Sequence, residues 1–434
     1  MSLIQPTRIL IVGAGGREHA LAWKLASEPG VNEVIVAPGS DGIGLEPRVR
    51  CLPGVDPLDG PALVDAARAN AVELVVIGPE APLAAGVADD LREAGIAVFG
   101  PSAGAARIES SKSWCREVAD AACVPMADGR AFADAADPAA TTFVHELADG
   151  GGVVVKADGL AGGKGVVVCE TGPEAAMSLR GFRGPVVIER RLEGREASVI
   201  ALCDGREAIA LPISRDHKRL LDGDGGPNTG GMGAYSPLPD LPDDTASDLV
   251  DRFHRPVLAE LARRGTPFRG ALYAGLMIGP DGARLLEFNA RFGDPETQVI
   301  VPRLAGALGP LLLAAARGAL PSRAGRVEPA FASAAVGIVL AGGGYPGSVS
   351  RGEQIDGLDA GRSGSALVFH GGTRRAADGS WVTSGGRVMT VVGAGVTLEA
   401  ARDEAERGAD AIAWPGMHRR HDIGRDLPVP EAVA

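Results

Sequence analysis

Residues 153–170 read VVVKADGLAGGKGVVVCE and decide how this part of the chain folds. The apolar runs at its two ends predict a pair of β-strands, and the glycines between them predict a flexible turn. Lys156 and Lys164 stand on either side of that turn. We therefore expect a flap that folds over a triphosphate and brings two ammonium groups to its oxygens. A solvated hairpin tip with two incidental lysines is the alternative.

The spacing in this segment excludes a P-loop. A P-loop would need glycine at position 158 and Ser or Thr at position 165, whereas this chain has Asp158 and Gly165. Lysine is also rare, with five in the chain against 38 arginines. Because an ammonium is a compact point charge and a guanidinium is a planar fork, two lysines in one glycine-rich segment indicate a specific use.

A second segment, LEFNARFGDPE at 286–296, predicts a metal site. Side chains alternate along a strand, so Glu287, Asn289 and Arg291 share one face. A carboxylate beside an amide oxygen suits Mg²⁺, which keeps several waters and bridges phosphates. Arg291 on the same face can hold a carboxylate or phosphate through two hydrogen bonds. An ordinary polar strand face is the alternative.

The first hundred residues predict an α/β domain. Apolar runs at 8–12, 31–39, 73–80 and 96–102 alternate with helical patterns, which is typical of a doubly wound parallel sheet. The first run enters Gly13-Ala-Gly-Gly16, where backbone N–H groups at a helix start can bind an anion. Glu18 replaces the third glycine of a dinucleotide motif, and no acid ends the second strand to hold a ribose. The pattern favours phosphate binding over NAD, and a merely tight turn is the alternative.

Further candidate residues lie in two loops. Glu80 follows the third strand, where ligands of such sheets bind, although it could simply begin the next helix. The segment 215–236 is predicted to be a long polar loop, rich enough in glycine for close approach to a ligand. A disordered surface loop is the alternative there, and His217 in it is interpreted as structural.

Composition excludes several functional classes. The net charge is −12, which disfavours nucleic acid and anionic membranes as partners, and aromatic residues make up only 4% of the chain. No apolar stretch approaches the 18 residues of a membrane span. The five cysteines show no zinc or C-x-x-C spacing, which indicates reduced thiols. Without a signal-peptide pattern, we expect a cytoplasmic protein that acts as a monomer on small molecules.

The chain resembles the glycinamide ribonucleotide synthetase family of the ATP-grasp ligases. The segments that carry the resemblance are GGREHALAWKL (15–25), GPEAPL (78–83), VVVKADGLAGGKGV (153–166), GPNTGGMGAYSP (226–237), EFNARFGDPETQ (287–298) and RRHDIG (419–424). The resemblance implies a Rossmann-like N-terminal domain at 1–105, an ATP-grasp domain at 106–330 with a mobile lid at about 124–194, and a small C-terminal α+β domain at 331–434.

The resemblance also implies a reaction in purine synthesis. ATP phosphorylates the carboxylate of glycine, and the amine of 5-phosphoribosylamine attacks the resulting glycyl phosphate to give glycinamide ribonucleotide, ADP and phosphate. The family uses a divalent ion for this chemistry, Mg²⁺ or Mn²⁺, and a closing lid shields the acyl phosphate from water.

Roles are carried over residue by residue. The implied ATP-binding residues are Lys112, Lys156, Lys164, Glu189, Leu192 and Glu196. The implied metal ligands are Glu287 and Asn289. The implied substrate-binding residues are Gly15, Gly16, Arg17, Glu80, Asp216, Lys218, Gly230, Gly231, Met232, Gly233, Arg291 and Asp294. The implied catalytic residues are Lys164, Asp216 and Arg291.

Three features depart from the family pattern. The strand YAGLMI (273–278) offers no further acidic metal ligand, Arg190 stands where relatives have a second acid, and the segment 170–184 is short. Three other functions stay open: an ATP-grasp ligase that uses bicarbonate or formate, a nicotinamide-dependent dehydrogenase, and a nucleotide sensor without catalysis. The first should lack GPNTGGMGAYSP, and Glu18 argues against the second.

Overall fold

The structure is a computed structural model, and it describes residues 3–148, 151–160, 165–322, 334–358 and 364–425. Within these ranges the chain forms a five-stranded parallel sheet at the N-terminus, two four-stranded antiparallel sheets, a five-stranded antiparallel sheet that contains the last strands, and two small two-stranded sheets. The helices are α1 Gly16–Ser27, α2 Gly60–Ala69, α3 Glu80–Ala84, α4 Val87–Glu93, α5 Ala103–Ser110, α6 Lys112–Ala121, α7 Pro138–Ala148, α8 Gly172–Leu179, α9 Ala246–Leu249, α10 Arg255–Arg263, α11 Glu296–Ile300, α12 Gly309–Arg317 and α13 Leu398–Asp410.

The N-terminal sheet confirms the predicted α/β class. Its strands are β1 Arg8–Gly13, β2 Glu33–Pro38, β3 Val49–Cys51, β4 Leu74–Ile77 and β5 Val98–Phe99. They are all parallel, in the order β3-β2-β1-β4-β5. Apart from the exposed Arg8, the central strands β1 and β4 consist of apolar residues and one glycine and are buried, because helices cover both faces of the sheet. The carboxyl ends of β1 and β4 therefore point to one edge, where Arg17 and Glu80 follow.

Two helices predicted as continuous are each divided in two. The pattern at 103–122 predicts one helix, but Ser111 has an extended backbone and its side chain accepts the N–H of Trp114, so it caps a new helix. The pattern at 83–94 is likewise broken at Gly86, which adopts φ +89°, a conformation that other residues rarely adopt. Short capping contacts of this kind override the apolar periodicity.

The segment predicted to be a lid contains a separate antiparallel sheet with its own small core, called the lid sheet below. Its strands are β6 Gly129–Phe132, β7 Val153–Ala157, β8 Val166–Cys169 and β9 Val186–Arg190, in the order β6-β9-β7-β8. α7 and α8 cover one face, and Phe132, Val144 and Val153 lie in the core between them. The glycine-rich segment connects β7 to β8, as the sequence predicts, although its residues 161–164 lie outside the described part of the chain.

The central sheet carries the predicted metal strand. Its strands are β10 Arg195–Asp204, β11 Ala208–Ala210, β16 Arg269–Gly279 and β17 Gly282–Asn289, in the order β11-β10-β16-β17. β16 and β17 form a hairpin with its turn at residues 279–282. Gly275 pairs with Glu287 and Tyr273 pairs with Asn289, so β16 places no acid opposite the proposed metal ligands.

The segment 215–236 is not the loop that the sequence predicts. It contains β12 Arg215–Asp216, β13 Arg219–Leu221, β14 Gly225–Asn228 and β15 Gly233–Ser236. β12 and β15 join β18 Ala334–Ala341, β22 Arg387–Gly395 and β19 Leu367–His370 in one sheet, while β20 Thr373–Arg375 and β21 Trp381–Thr383 form a hairpin. Glycine content predicts a loop, but the hydrogen-bond partners of β15 lie a hundred residues later in the chain. Tertiary pairing thus overrides local propensity.

No helix in the described ranges is long and apolar enough to cross a membrane. All five cysteines are free thiols. Burial raises the pKa of Cys115 to about 11, so that this thiol stays protonated and unreactive.

His254 should make the protein sensitive to acid. It is fully buried between the central sheet and the helix α10, with Nε2 at 3.0 Å from the carbonyl oxygen of Leu272, and burial lowers its pKa to about 4. The folded state therefore binds fewer protons than the unfolded state between about pH 6.5 and pH 4. The contribution of neutral His254 to the free energy of unfolding is fully present above about pH 6.5. It should fall by about 3 kcal/mol as the pH drops through this window.

Urea unfolding of His254→Gln between pH 7 and pH 4.5 checks this prediction. The free energy of unfolding should depend less on pH in the variant, since glutamine does not titrate. His145→Gln, which changes an exposed histidine, is the matched control and should follow the wild type. Equal pH dependence in all three proteins would contradict the assignment.

Candidate active site

One large cavity, of about 1010 Å³, collects most of the predicted residues. It lies between the lid sheet, the central sheet, the carboxyl edge of the N-terminal sheet and β22. The predicted residues that line it are Arg17, Glu80, Lys112, Lys156, Glu189, Leu192, Glu196, Asp216, Lys218, Gly230, Glu287, Asn289, Arg291 and Asp294. Predicted residues that are as many as 277 positions apart in sequence, Arg17 and Asp294, thus meet around one cavity.

Lys156 points into the cavity from the lid strand β7. Its Nζ lies 2.6 Å from Glu189 Oε2 on the neighbouring strand β9 and donates to the carbonyl oxygen of Leu286 at 2.9 Å. Glu189 is 5% exposed and also accepts from Arg116 at 3.1 Å. Two cations therefore hold this carboxylate, and a ligand would have to displace one of them to reach it.

The base of the glycine-rich segment is fixed to the N-terminus of α6. Asp158 accepts the backbone N–H of Lys112 at 2.5 Å and bonds to the hydroxyl of Ser113. Lys112 Nζ in turn donates to the carbonyl oxygen of Gly159 at 2.9 Å. A carboxylate at a helix N-terminus is favourable because it satisfies free N–H groups and faces the positive end of the helix dipole. This explains why Asp stands where a P-loop would have glycine.

Glu287 and Asn289 adjoin each other on β17, with Asn289 Nδ2 at 3.4 Å from Glu287 Oε1. Burial opposes ionisation of Glu287, but Lys218, Lys156 and Lys112 outweigh it and hold its pKa below the usual value. An ionised carboxylate beside an amide oxygen fits a hard divalent cation. No group of three or more His, Cys, Asp or Glu side chains in the described ranges could hold a metal alone, so phosphate oxygens would have to complete the coordination.

Asp216 and Lys218 form a charged group beside that pair. Lys218 Nζ lies 2.6 Å from Glu196 Oε2, so this acid, one of the implied ATP-binding residues, already has a cationic partner. Burial, with help from Glu296 and Glu196 and against the effect of Lys218, raises the pKa of Asp216 to about 7. This corner of the cavity therefore holds more carboxylates than cations.

Arg291 lies in the other end of the cavity, away from Asp216 and Lys218. Its Nε lies 3.0 Å from Glu80 Oε2 and 3.1 Å from Glu109 Oε1. Burial raises the pKa of Glu109, and Arg291 partly opposes that rise. At Glu80 burial also opposes ionisation, but there Arg291 outweighs it and the pKa is lowered. One guanidinium thus keeps two neighbouring carboxylates compatible.

The glycine turn after β1 does not present a free anion site at Gly15. The Gly15 N–H donates to Glu18 Oε2 at 2.7 Å, and Arg17 Nε donates to Glu18 Oε1 at 2.6 Å. A Cβ on Gly78 would lie 2.1 Å from Glu18 Oε1, so this side chain fills the space between β1 and β4. Glu18 therefore occupies the amide of Gly15, one of the backbone N–H groups of the turn at 13–16 that the sequence predicts to bind an anion.

Several predicted glycines support the cavity wall without lining it. Gly16 is packed against Gln298, where an added Cβ would lie 3.0 Å from Nε2. Gly231 adopts φ +109°, and a Cβ there would lie 2.5 Å from Pro295. Met232 and Gly233 are buried, because β15 is paired with β18. Lys164, the predicted lid lysine, lies outside the described residues.

Sequence reasoning missed residues that only the fold brings here. Arg387, on β22, donates to the carbonyl oxygens of Gly230 at 2.6 Å and Asp294 at 2.7 Å, and pairs with the Asp294 carboxylate at 3.1 Å. Glu109 accepts the N–H of Ala290 at 2.8 Å. Neither residue lies in a recognisable motif, so the sequence carries no signal for them. Glu296 lies within the segment 287–298, but the sequence pattern predicts no role for it. Its carboxylate accepts a hydrogen bond from the hydroxyl of Ser198.

The fold and the cavity define an ATP-grasp enzyme: a lid sheet and a central sheet enclose a cavity lined by three lysines and a Glu/Asn pair. The chain belongs to the phosphoribosylglycinamide synthetase family. Sequence models of that family match its N domain at residues 7–109, its ATP-grasp (A) domain at 110–297 and its C domain at 335–426.

Individual relatives agree with this assignment. The chain is 45% identical to the phosphoribosylamine–glycine ligase of Pseudomonas aeruginosa, over 96% of this chain and 97% of that protein. Its fold matches the crystal structure of the phosphoribosylamine–glycine ligase of Thermotoga maritima with a TM-score of 0.79, over 96% of this chain and 99% of that one. The two sequences are 33% identical. A biotin carboxylase of Campylobacter jejuni, at 18% identity and a TM-score of 0.68 over 96% and 93% of the two chains, shares the fold alone.

Proposed function

We propose that this chain is an ATP-dependent ligase that joins glycine to 5-phosphoribosylamine and forms glycinamide ribonucleotide, ADP and phosphate through a glycyl phosphate intermediate. Its full-length similarity to phosphoribosylamine–glycine ligases supports this function. The observation that carries it is the cavity, in which three lysines surround Glu287 and Asn289. Such an arrangement can neutralise the charge of a transferring phosphoryl group.

For ATP, the proposed contacts lie under the lid. Lys112 and Lys156 would approach the phosphates, since both already stand beside Glu287, and Lys164 would reach them from the lid. Leu192 would meet the adenine ring through its backbone. Glu189 would bind the adenine amino group and Glu196 the ribose hydroxyls, each after exchanging its present lysine partner for the ligand.

Glu287 and Asn289 would hold the divalent ion, Mg²⁺ or Mn²⁺. When bound, the ion neutralises phosphate charge and polarises the transferring group. The residues around it have separate tasks: the lysines keep Glu287 ionised, and the lid excludes water from the acyl phosphate. The site fits such an ion because its two oxygen donors leave room for phosphate oxygens.

The substrates would occupy the rest of the cavity. Asp216, Lys218 and the Gly230–Gly233 segment would surround glycine and the new amide. Arg17, Glu80, Arg291 and Asp294 would face phosphoribosylamine, with Gly15 and Gly16 shaping the turn behind Arg17. Arg17 is one of the cations at that end of the cavity, together with Arg291 and Arg387, and Glu18 occupies the backbone amide of Gly15. Arg291 would act by holding Glu80 and Glu109 in place for this ligand.

A coupled assay of ADP release tests the function. With MgATP, glycine and freshly made phosphoribosylamine, ADP should form only when both glycine and the amine are present. Bicarbonate or formate in place of glycine should give no ADP. Bicarbonate-dependent ADP release without glycine would favour the alternative carboxylate substrate, and nucleotide binding without turnover under all conditions would favour a sensor.

Lys164→Ala should lower kcat by about tenfold to a hundredfold, because one charge is lost at the transferring phosphate. The melting temperature should change little, because the sequence predicts an exposed glycine-rich turn and exposed substitutions alter stability by only about 0.5 kcal/mol. Lys24→Ala is the control for removal of a lysine far from the cavity. A large loss of melting temperature with unchanged kcat would contradict the assignment of Lys164.

We also propose that the three domains divide at about residues 105 and 330, with a lid at about 124–194, and that the enzyme acts as a monomer in the cytoplasm. The borders of the three family models, near residues 109 and 335, support the division.

A further inference from the structure

The C-terminal segment RRHDIG (419–424) is held against the strand pair β13–β14 by contacts that have no role in the chemistry proposed above. Arg420 is fully buried. It donates to both carboxylate oxygens of Asp422 at 2.7 Å, to Asp224 Oδ1 at 2.8 Å and to the carbonyl oxygen of Arg219 at 3.0 Å. The Gly223 N–H also donates to Asp422 at 2.8 Å. One guanidinium therefore fixes a segment that lines the active cavity.

Asp224 connects this contact to the cavity. It adopts φ +54°, a backbone conformation that non-glycine residues seldom adopt and that Asp and Asn tolerate best. Its Oδ1, which accepts from Arg420, also lies 3.8 Å from His217 Nδ1. The proximity of His217, followed by Arg420, lowers the pKa of Asp224 to about 2, so this carboxylate is ionised.

His217 is the last residue in this series of contacts, which runs from Arg420 through Asp224. It lines the cavity, is 7% exposed, and packs against Tyr235 with ring centroids 5.9 Å apart. Its backbone is held by Gly233 and Met232 at 2.9 and 2.8 Å. Its Nε2 is buried and has no hydrogen-bond partner among the described residues. A buried polar atom without a partner is costly, and such atoms persist in sites where a ligand satisfies them.

We propose that His217 presents Nε2 as a hydrogen-bond acceptor to the N–H group of the reacting amine or of the new amide, and that Asp224 and Arg420 are positioning residues that set its orientation and tautomer. An anionic carboxylate on the Nδ1 side favours the tautomer with hydrogen on Nδ1, which leaves the lone pair of Nε2 free. This role rests on the proposed ligase function, because it names a substrate of that reaction. Asp216 and Lys218, on either side of His217, keep their own roles.

Steady-state kinetics of matched variants test the proposal. His217→Asn, which cannot reach the Nε2 position, should lower kcat/KM for glycine and phosphoribosylamine by about tenfold or more, while KM for ATP stays unchanged. His217→Gln places an amide oxygen near the Nε2 position and should recover part of that loss. An increase in KM for ATP alone, or equal effects of the two variants, would overturn the assignment.

Two carboxylate variants separate positioning from simple clamping. Asp224→Asn keeps a residue that tolerates the backbone conformation but removes the charge near His217, and it should lower kcat/KM about as much as His217→Asn. Asp422→Asn weakens the contacts of Arg420 with the segment 222–224 without facing His217. It should therefore lower the melting temperature more than kcat/KM. If Asp422→Asn reduced kcat/KM as strongly as Asp224→Asn, Asp224 and Arg420 would have only a structural role and would not position His217.

Nitrogen-15 NMR of the histidine side chains gives a readout that needs no turnover. In the wild-type protein His217 should show the tautomer with hydrogen on Nδ1, and Asp224→Asn or Arg420→Lys should reduce its population. The opposite tautomer in the wild type would overturn the proposal even if the ligase assay succeeds. If His217 carries its hydrogen on Nδ1 but the protein shows no ligase activity, the result counts against the proposed function instead.

Discussion

Glu287→Ala is expected to lower kcat/KM by about a thousandfold, equivalent to about 4 kcal/mol of transition-state stabilisation. Glu287 is the only acidic side chain of the proposed metal pair, and Lys218, Lys156 and Lys112 hold its pKa low. Removing it takes away a metal ligand and leaves three lysines without their shared carboxylate. Measuring ADP release at several concentrations of Mg²⁺ and of Mn²⁺ checks the prediction, because a weakened metal site should need more of either ion.

Asp281→Ala is the matched control for this change. Asp281 lies in the exposed turn of the same hairpin, so its removal tests the effect of losing an acid from β16–β17 without touching the cavity. That variant should retain wild-type kinetics. A rate for Glu287→Ala within tenfold of the wild type would refute the metal assignment.

Arg291→Gln is expected to damage both activity and stability. Its guanidinium lies within 3.1 Å of Glu80 and Glu109, and glutamine would remove the cation that both carboxylates contact directly, leaving only the weaker influence of Arg17. Removing one member of a largely buried ion pair costs about 3–5 kcal/mol, and the partial exposure of Glu80 reduces this to about 2–4 kcal/mol. ADP release should fall by about a hundredfold, because the proposed phosphoribosylamine end would lose its geometry.

The loss of stability in Arg291→Gln should depend on pH. The pKa of Glu109 is already raised by burial, so the folded state binds more protons than the unfolded state above about pH 4, and stability falls as pH rises through the folded pKa. Without Arg291 this pKa should rise further. The difference in unfolding free energy from wild type should therefore be larger at pH 7.5 than at pH 5.

A double variant completes this test. Arg291→Gln combined with Glu109→Gln should recover much of the stability, since one of the two repelling carboxylates is gone, but should not recover activity. Glutamine at position 109 also retains an oxygen that can accept the N–H of Ala290. A double variant as unstable as the single one would show that repulsion between Glu80 and Glu109 is not the cause.

The sequence predicts the parts of the site that lie within one strand or turn. Lys156 is placed by its alternation along β7, and Glu287 and Asn289 by their alternation along β17, so local periodicity is sufficient. The alternation of apolar runs with helical patterns likewise predicts the parallel N-terminal sheet. These features need no knowledge of distant partners, because backbone geometry fixes which side chains share a face.

Only the tertiary structure decides the rest. Glu109 reaches Arg291 across nearly two hundred residues, Arg387 reaches Asp294 from the last sheet, and β15 pairs with β18 where glycine content predicts a loop. The physical reason is that charge pairing and strand pairing depend on distance in space. A chain determines such distances only after its separate sheets have packed together.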